Sequence, residues 1–236
     1  MTAFILAAGK GTRLFPITQS VPKPMVRVAG RPLLEHTIKR LASHGIRDLI
    51  INLHYRGDSI QSHFGDGTRF GVRITYSPEA ALLGTAGALV PWRHLLRSTV
   101  LVVYGDNLST CDIHAFERRH QRHRASATVA LFWRDDVTQS GVAVLDSDER
   151  VRSFIEKPAA GETTNHWVNA GLLLLEPSAL DSIPEAPPAD FGRDLLPKWA
   201  RTGELFGYQM SSEERLWWAD TPVDLASMER EFQSCS

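Results

Sequence analysis

The sequence predicts an α/β fold of three layers, with helices on both faces of a central mixed, mostly parallel sheet, and three observations carry that expectation. Residues 3–8 form a continuous apolar run that stops at Gly9, the mark of a strand buried on both faces that delivers a loop at its carboxyl end. Strand-length apolar runs and helix-period segments then alternate as far as Asp106, which implies parallel strands joined by crossover helices. Beyond residue 112 the runs are separated only by short polar turns, so antiparallel pairing is expected to dominate the second half.

Each element has a local cause. Leu33, Leu34, Thr37, Ile38 and Leu41 recur at helical spacing between Pro32, suited to a first helical turn, and Gly45, suited to a C-terminal cap. A strand over Asp48–Leu53 follows, then a short helix ending near Phe64, the turn Gly65-Asp66-Gly67 and a strand over Val72–Tyr76. A helix is expected after Thr85, ended by Pro91, and Thr99–Tyr104 is a β-branched buried strand stopping at Gly105-Asp106. After a helix from about Asp112 to His123 come strands over Ser126–Trp133, Gly141–Leu145, Val151–Ile155 and Val168–Leu175. Pro184, Pro187 and Pro188 mark a surface loop, with helices over Asp194–Ala200 and Asp224–Phe232 beyond it.

At 236 residues the chain exceeds the ~150-residue scale of an average domain, yet no repeat, low-complexity tract or linker divides it, so 1–236 reads as a single domain. With 43% hydrophobic and 22% charged residues it has an ordinary core and is not disordered, collagen-like or coiled-coil. Lys plus Arg total 26 against 27 for Asp plus Glu, so no overall field draws the molecule to nucleic acid or an anionic membrane, and an anionic partner has to be caught locally. Cys111 and Cys235 form neither a disulfide framework nor a metal pair, which fits a reducing compartment. No basic leader precedes the first apolar stretch and no run approaches the ~18 residues of a membrane span, so the expected location is cytoplasmic.

The most informative stretch runs Leu6-Ala-Ala-Gly-Lys-Gly-Thr-Arg-Leu-Phe-Pro-Ile-Thr18, followed by Pro22-Lys-Pro24. Its glycines let backbone N–H groups approach a polyphosphate, and Lys10, Arg13 and Lys23 supply cations for charge-assisted bonds; the plainer alternative is a tight turn beside three solvated cations. It is not a Walker loop, and Leu14 stands where the dinucleotide fingerprint needs its third Gly. Asp106 ends the most hydrophobic strand, where open α/β sheets place their ligands, which makes it a candidate metal ligand against the commoner role of a cap. Arg118, Arg119, His120, Arg122, His123 and Arg124 make one helix strongly basic, but without an aromatic platform it reads as solvated or subunit-facing. His120 and His123 are spaced to share a metal, with no third ligand evident.

Gly-x-Gly-Thr-Arg-Leu-x-Pro-x-Thr followed by Pro-Lys-Pro resembles the signature of the sugar-1-phosphate nucleotidylyltransferases, which make nucleotide sugars. That resemblance implies a Rossmann-like fold with a nucleotide-binding part over about 1–110 and a sugar-phosphate part over about 111–236. It implies nucleotide contacts at Leu6, Ala7, Gly9, Gly11 and Arg13, with Arg13 on the β- and γ-phosphates, and a catalytic set of Arg13, Lys23 and Asp106, with Lys23 over the α-phosphate. Ser77–Gly87 resembles the family's base-recognition segment, which assigns Glu79, Gly84 and Thr85 to the nucleobase; a plain N-cap at Thr85 is the alternative. Glu156-Lys-Pro158 and Val168-Asn-Ala-Gly171 resemble the elements that hold the sugar phosphate, with Glu156 and Asn169 on hydroxyls, Lys157 on the phosphate and Gly141 offering backbone; a surface Glu–Lys pair is the alternative. Trp218-Ala-Asp220-Thr221 resembles a Trp-x-Asp element that makes Asp220 the partner of Asp106 for Mg2+. The sequence departs from the pattern just after, where Gly-Thr-Pro is usual, so Asp224 is a fallback, and Trp217 and Trp218 are core or pocket wall.

The implied reaction is NTP plus sugar 1-phosphate giving NDP-sugar plus pyrophosphate. The resemblance covers almost the whole chain and leaves no room for an appended domain, so the catalytic core alone is expected. Leu-Gly-Thr-Ala-Gly looks most like enzymes that use GTP with mannose 1-phosphate or manno-heptose 1-phosphate; uridylyl, cytidylyl or thymidylyl transfer and a non-catalytic regulatory paralogue are the alternatives. A related glycosyltransferase would show Asp-x-Asp, which Asp106-Asn107-Leu108 lacks. The expected partners are the small-molecule substrates, without nucleic acid or membrane, and a homo-oligomer is left open.

Overall fold

The computed structural model describes residues 1–234; Cys235 lies outside them. In chain order the strands and helices are β1 (Thr2–Leu6), β2 (Arg27–Val28), β3 (Arg31–Pro32), α1 (Leu33–Ser43), β4 (Asp48–Leu53), α2 (Gly57–Phe64), β5 (Arg73–Pro78), β6 (Val100–Tyr104) and β7 (Asn107–Ser109). There follow α3 (Ile113–His123), β8 (Ala127–Trp133), β9 (Gly141–Leu145), β10 (Val151–Glu156), β11 (Trp167–Leu175), α4 (Pro177–Asp181), α5 (Leu196–Thr202), β12 (Leu205–Gln209), β13 (Leu216–Trp218) and α6 (Pro222–Ser234). They form two compact units, one gathering Met1–Leu82, Val103–Thr110 and the segment from Arg215 onward, the other Leu83–Val102 and Cys111–Glu214.

In the first unit β1, β4 and β5 are parallel, with Phe4 opposite Ile50 and Ile50 opposite Thr75. β1 ends at Leu6, two residues short of the apolar run, because the Ala7 N–H leaves the ladder for the side chain of Asn52. The carboxyl end of β6 enters beside it, where the Gly105 N–H donates to the Leu6 carbonyl at 2.9 Å. α1 buries the stripe Leu33, Leu34, Thr37, Ile38, Leu41 and Ala42, each large apolar side chain contributing about 2 kcal/mol. Pro32 stands one residue outside this helix in an extended conformation, not within the first turn as expected.

β7 and β13, neither anticipated from the sequence, pair antiparallel with Leu108 opposite Trp217. Leu108 and Trp217 pack with Leu14, Val26, Val28, Leu33, Ala219 and Met228 in a core cluster that receives both the loop after β1 and the start of α6. α6 begins at Pro222, two residues before the expected start, because Thr221 caps it: the Thr221 N–H donates to the Asp224 carboxylate at 2.9 Å and the Asp224 N–H returns a bond to the Thr221 hydroxyl at 3.2 Å.

The second unit carries β10, β9, β11 and β8 as antiparallel neighbours, with β12 parallel to β8. β12 escaped the sequence reading because Gly207 interrupts Leu-Phe-Gly-Tyr-Gln, a position where Leu145 and Leu131 leave no room for a side chain. No α-helix follows Thr85: the N–H groups of Ala86 and Gly87 both turn to the Ala189 carbonyl, at 2.9 and 3.0 Å, and only a 3-10 turn forms over Gly87–Trp92. The helix expected from Asp194 opens as a π-helical turn over Phe191–Leu195, capped by Asp190 on the Arg193 N–H, before α5. α3 is not wholly solvated. His120 is buried between the Thr128 hydroxyl at 2.7 Å and Glu176 at 3.1 Å, while Arg119 and His123 both pair with Glu149. The mixed parallel and antiparallel pairing with helices packed on it is the α/β class expected. Among the described residues no helix is long and apolar enough to cross a membrane.

Candidate active site

The loop after β1 is folded by its own short contacts. Gly11 adopts φ +61, a left-handed conformation, and a side chain there would lie 2.8 Å from Cβ of Lys23, so the residue is Gly for both backbone and space. The Thr18 hydroxyl donates to the Gly11 carbonyl at 2.7 Å, and the Tyr55 hydroxyl reaches the carbonyls of Thr18 and Gln19. Lys10 and Arg13 are exposed, whereas Lys23 lies almost wholly buried at the start of a 3-10 turn. Gly9 has open space around its Cα.

Two carboxylates converge on Lys23. Its ammonium donates to Asp106 Oδ2 at 2.8 Å and to Asp220 Oδ1 at 2.6 Å, and Arg13 lies 3.1 Å from Asp220 Oδ2. The β7–β13 ladder explains the meeting of residues so far apart in sequence: Trp218 pairs with Asn107, so Asp106 and Asp220 leave the same end of one ribbon. Burial alone would lower the Lys23 pKa, but the charges of Asp106 and Asp220 and their hydrogen bonds outweigh it and hold the ammonium above its ordinary value. Asp224 is instead occupied in the cap of α6, with Thr221.

Both carboxylates touch one small cation, so both can reach a single metal ion. Among the described residues no group of three or more His, Cys, Asp or Glu gathers for a metal. A donor set of two carboxylates suits Mg2+, which completes its shell with phosphate oxygens and water.

A second network in this unit joins Ala7 and Glu79, both named from the sequence, through Asn52 and His54, which sequence reasoning missed. Asn52, buried near the end of β4, accepts from the Ala7 N–H at 2.7 Å and donates to Glu79 Oε1 at 2.7 Å. His54 Nδ1 lies 2.9 Å from the Glu79 carbonyl. Ala7, Asn52 and Glu79 thus join the carboxyl ends of three adjacent parallel strands, the edge where such sheets take ligands. The polar Asn within Leu-Ile-Ile-Asn-Leu was the available signal.

Gly84 and Thr85 belong to the second unit and are zipped to the segment 189–191. A side chain at Gly84 would collide with the Ala189 backbone. The Thr85 hydroxyl donates to Asp190 Oδ2 at 2.8 Å and accepts from the Phe191 N–H at 2.8 Å, so it is no helix cap. Glu156 faces Gly141 across β10 and β9, and a side chain at either Gly141 or Gly192 would collide with its carboxylate. Burial, then the like charge of Asp190, push the Glu156 pKa up, with Lys157 and Arg193 opposing. Lys157 is exposed, with its N–H on the Ser140 carbonyl, and Asn169 accepts from the Gly171 N–H at 2.9 Å within a bulge of β11. Asp190 and Gly192 carried no local sequence signal, since only the tertiary approach of Glu156 and Thr85 defines them.

The family model described as Nucleotidyl transferase matches residues 2–223. A UTP–glucose-1-phosphate uridylyltransferase of Synechocystis is 36% identical over 220 residues, covering 87% of this chain and 57% of that relative. A mannose-1-phosphate guanylyltransferase of Mycobacterium tuberculosis is 35% identical over 227 residues, covering 94% and 62%. The chain therefore spans about three-fifths of the length of these curated relatives. The crystal structure of HddC from Yersinia pseudotuberculosis in complex with GMP-PN matches with a TM-score of 0.82 and 25% identity, over 98% of this chain and 99% of that one.

Proposed function

The chain belongs to the nucleotidyl transferase family, and from that premise we propose that it converts NTP plus sugar 1-phosphate to NDP-sugar plus pyrophosphate. The observation that carries this reading is the convergence of Lys23, Asp106, Asp220 and Arg13 beside the glycine loop. Arg13 grips the β- and γ-phosphates, and Lys23 offsets charge that grows on the α-phosphoryl oxygens during transfer. Leu6, Ala7, Gly9 and Gly11 line the nucleotide, with Glu79, Gly84 and Thr85 serving its base. Glu156 and Asn169 hold sugar hydroxyls, Lys157 the sugar's phosphate, and Gly141 offers backbone. Asp106 and Asp220 would hold Mg2+, whose chemistry when bound is to neutralise polyphosphate charge.

The attacking phosphate is already ionised at neutral pH, so no general base is needed. The proposed nucleotide is GTP, with mannose 1-phosphate or manno-heptose 1-phosphate, supported by the Leu-Gly-Thr-Ala-Gly segment, the guanylyltransferase relative and the neighbour solved with GMP-PN. Uridylyl transfer is the second reading, favoured by the 36% identical relative. Asp220 on Lys23 speaks against a non-catalytic paralogue, whose support was the altered segment after Asp220. The proposed setting is cytoplasmic. The test is pyrophosphate release with Mg2+ across a matrix of NTPs and sugar 1-phosphates: release confined to GTP with a manno-configured sugar is expected, release with UTP alone favours the second reading, and none anywhere overturns both.

A further inference from the structure

We propose that the Lys23 ammonium is a built-in rival of the divalent cation, so that Asp106 and Asp220 accept the metal only when polyphosphate arrives and draws the lysine away. The inference rests on the reading above for the identity of the anion, but its physical basis lies in the first unit alone. Lys23 Nζ sits 2.8 Å from one carboxylate and 2.6 Å from the other, the position a shared metal ion would contest. Asp220 meets a second cation in Arg13 at 3.1 Å, so two positive side chains stand against two negative ones and the cluster is neutral.

A divalent ion added to that neutral, partly buried set brings an excess of positive charge, which is unfavourable away from bulk water. The same ion entering with a polyphosphate does not. Steric detail limits how the lysine can yield. Its stem is packed against Gly11, where even an added methyl would lie 2.8 Å from Cβ and 3.3 Å from Cδ of Lys23, so the end of the side chain redirects while the stem stays. Arg13 is half exposed and pairs with Asp220, one of the two carboxylates.

The probe is Mn2+, measured as protein-bound metal by equilibrium dialysis on the full chain, without nucleotide. Wild type alone is expected to bind Mn2+ at least about tenfold more weakly than wild type with inorganic pyrophosphate. Lys23→Met is expected to bind Mn2+ without pyrophosphate at least about tenfold more tightly than wild type, and Asp106→Asn added to it removes the gain. Arg13→Gln, which deletes the same formal charge, should gain much less. Equal gains from Lys23→Met and Arg13→Gln would reduce the effect to net charge and overturn the proposal. So would Mn2+ binding to wild type that is indifferent to pyrophosphate, a comparison that needs no variant to fold. The function reading fails separately, through the absence of pyrophosphate release across the substrate matrix.

Discussion

The cluster around Lys23 and the surroundings of Glu156 treat buried charge in opposite ways. Around Lys23 two cations and two carboxylates cancel, and the ammonium is held charged against its own burial. Around Glu156 burial and the neighbouring charge of Asp190 make the carboxylate costly to ionise, and Lys157 and Arg193 only offset part of it. The first is a completed ionic set whose members are oriented before any ligand binds. The second keeps a carboxylate whose ionised form gains from added hydrogen-bond donors, which the hydroxyls of a sugar would supply.

The largest expected effect breaks the first region. Lys23→Ala should lower turnover about a hundredfold, or ~3 kcal/mol, while nucleotide affinity changes far less, because the contact strengthens as charge develops at the α-phosphate. Steady-state pyrophosphate release and nucleotide titration check it, and equal losses in both would contradict a transition-state role. Next in size is the metal dependence. Asp220→Asn should raise the Mg2+ needed for half-maximal activity by about tenfold or more, whereas Asp224→Asn, whose amide oxygen can still accept from Thr221, should leave it nearly unchanged. A large effect at Asp224 with none at Asp220 would exchange their assignments.

That choice shows what could be read from sequence and what could not. β1, α1, β4 and β9 were legible because their causes are local: apolar runs, helical spacing, bounding glycines. Arg13, Lys23, Asp106 and Asp220 were all named from motifs, but the altered segment after Asp220 kept Asp224 as a fallback. The choice between them comes from β7 and β13, three residues each, whose pairing brings distant segments together. Too short to show periodicity, they are stabilised by tertiary packing of Leu108 and Trp217. Asp190 and Gly192 went unread for the same reason, since each is defined by a partner far along the chain, whereas Asn52 did leave a local mark as a polar residue within an apolar strand.

The two regions also differ in the room around their glycines. Gly141→Ala forces a methyl into Phe154 and to within 2.6 Å of Glu156 Oε2, an overpacking expected to cost about 1–3 kcal/mol, with Tm falling about 2–4 °C per kcal/mol. Gly9→Ala meets nothing within 4 Å and should leave stability within about 0.5 kcal/mol of wild type. Thermal melts of the two variants side by side decide it: a Gly9 variant as destabilised as the Gly141 variant would contradict the open space seen around Gly9.

The smallest expected effect concerns Glu156 and pH. Its folded-state pKa is raised above the ordinary 4.5, first by burial and then by Asp190, so between the unfolded value and the higher folded one the native state binds more protons than the unfolded chain. Stability from this group therefore falls as pH rises through that window, and the deficit persists at neutral pH. Glu156→Gln removes the ionisable proton while keeping the shape, so at pH 7 the variant should melt slightly above wild type, by no more than the about 2–4 °C that 1 kcal/mol produces in a chain of this size. Lowering the pH through the window should close the gap, because wild type then regains its proton in the folded state. Lys157 and Arg193 oppose the trend by losing a partner in the variant, which keeps the difference small. A glutamine variant less stable than wild type at pH 7, with the gap widening as pH rises, would mean that the two cations outweigh burial and Asp190, and the contrast between the two charged regions would disappear.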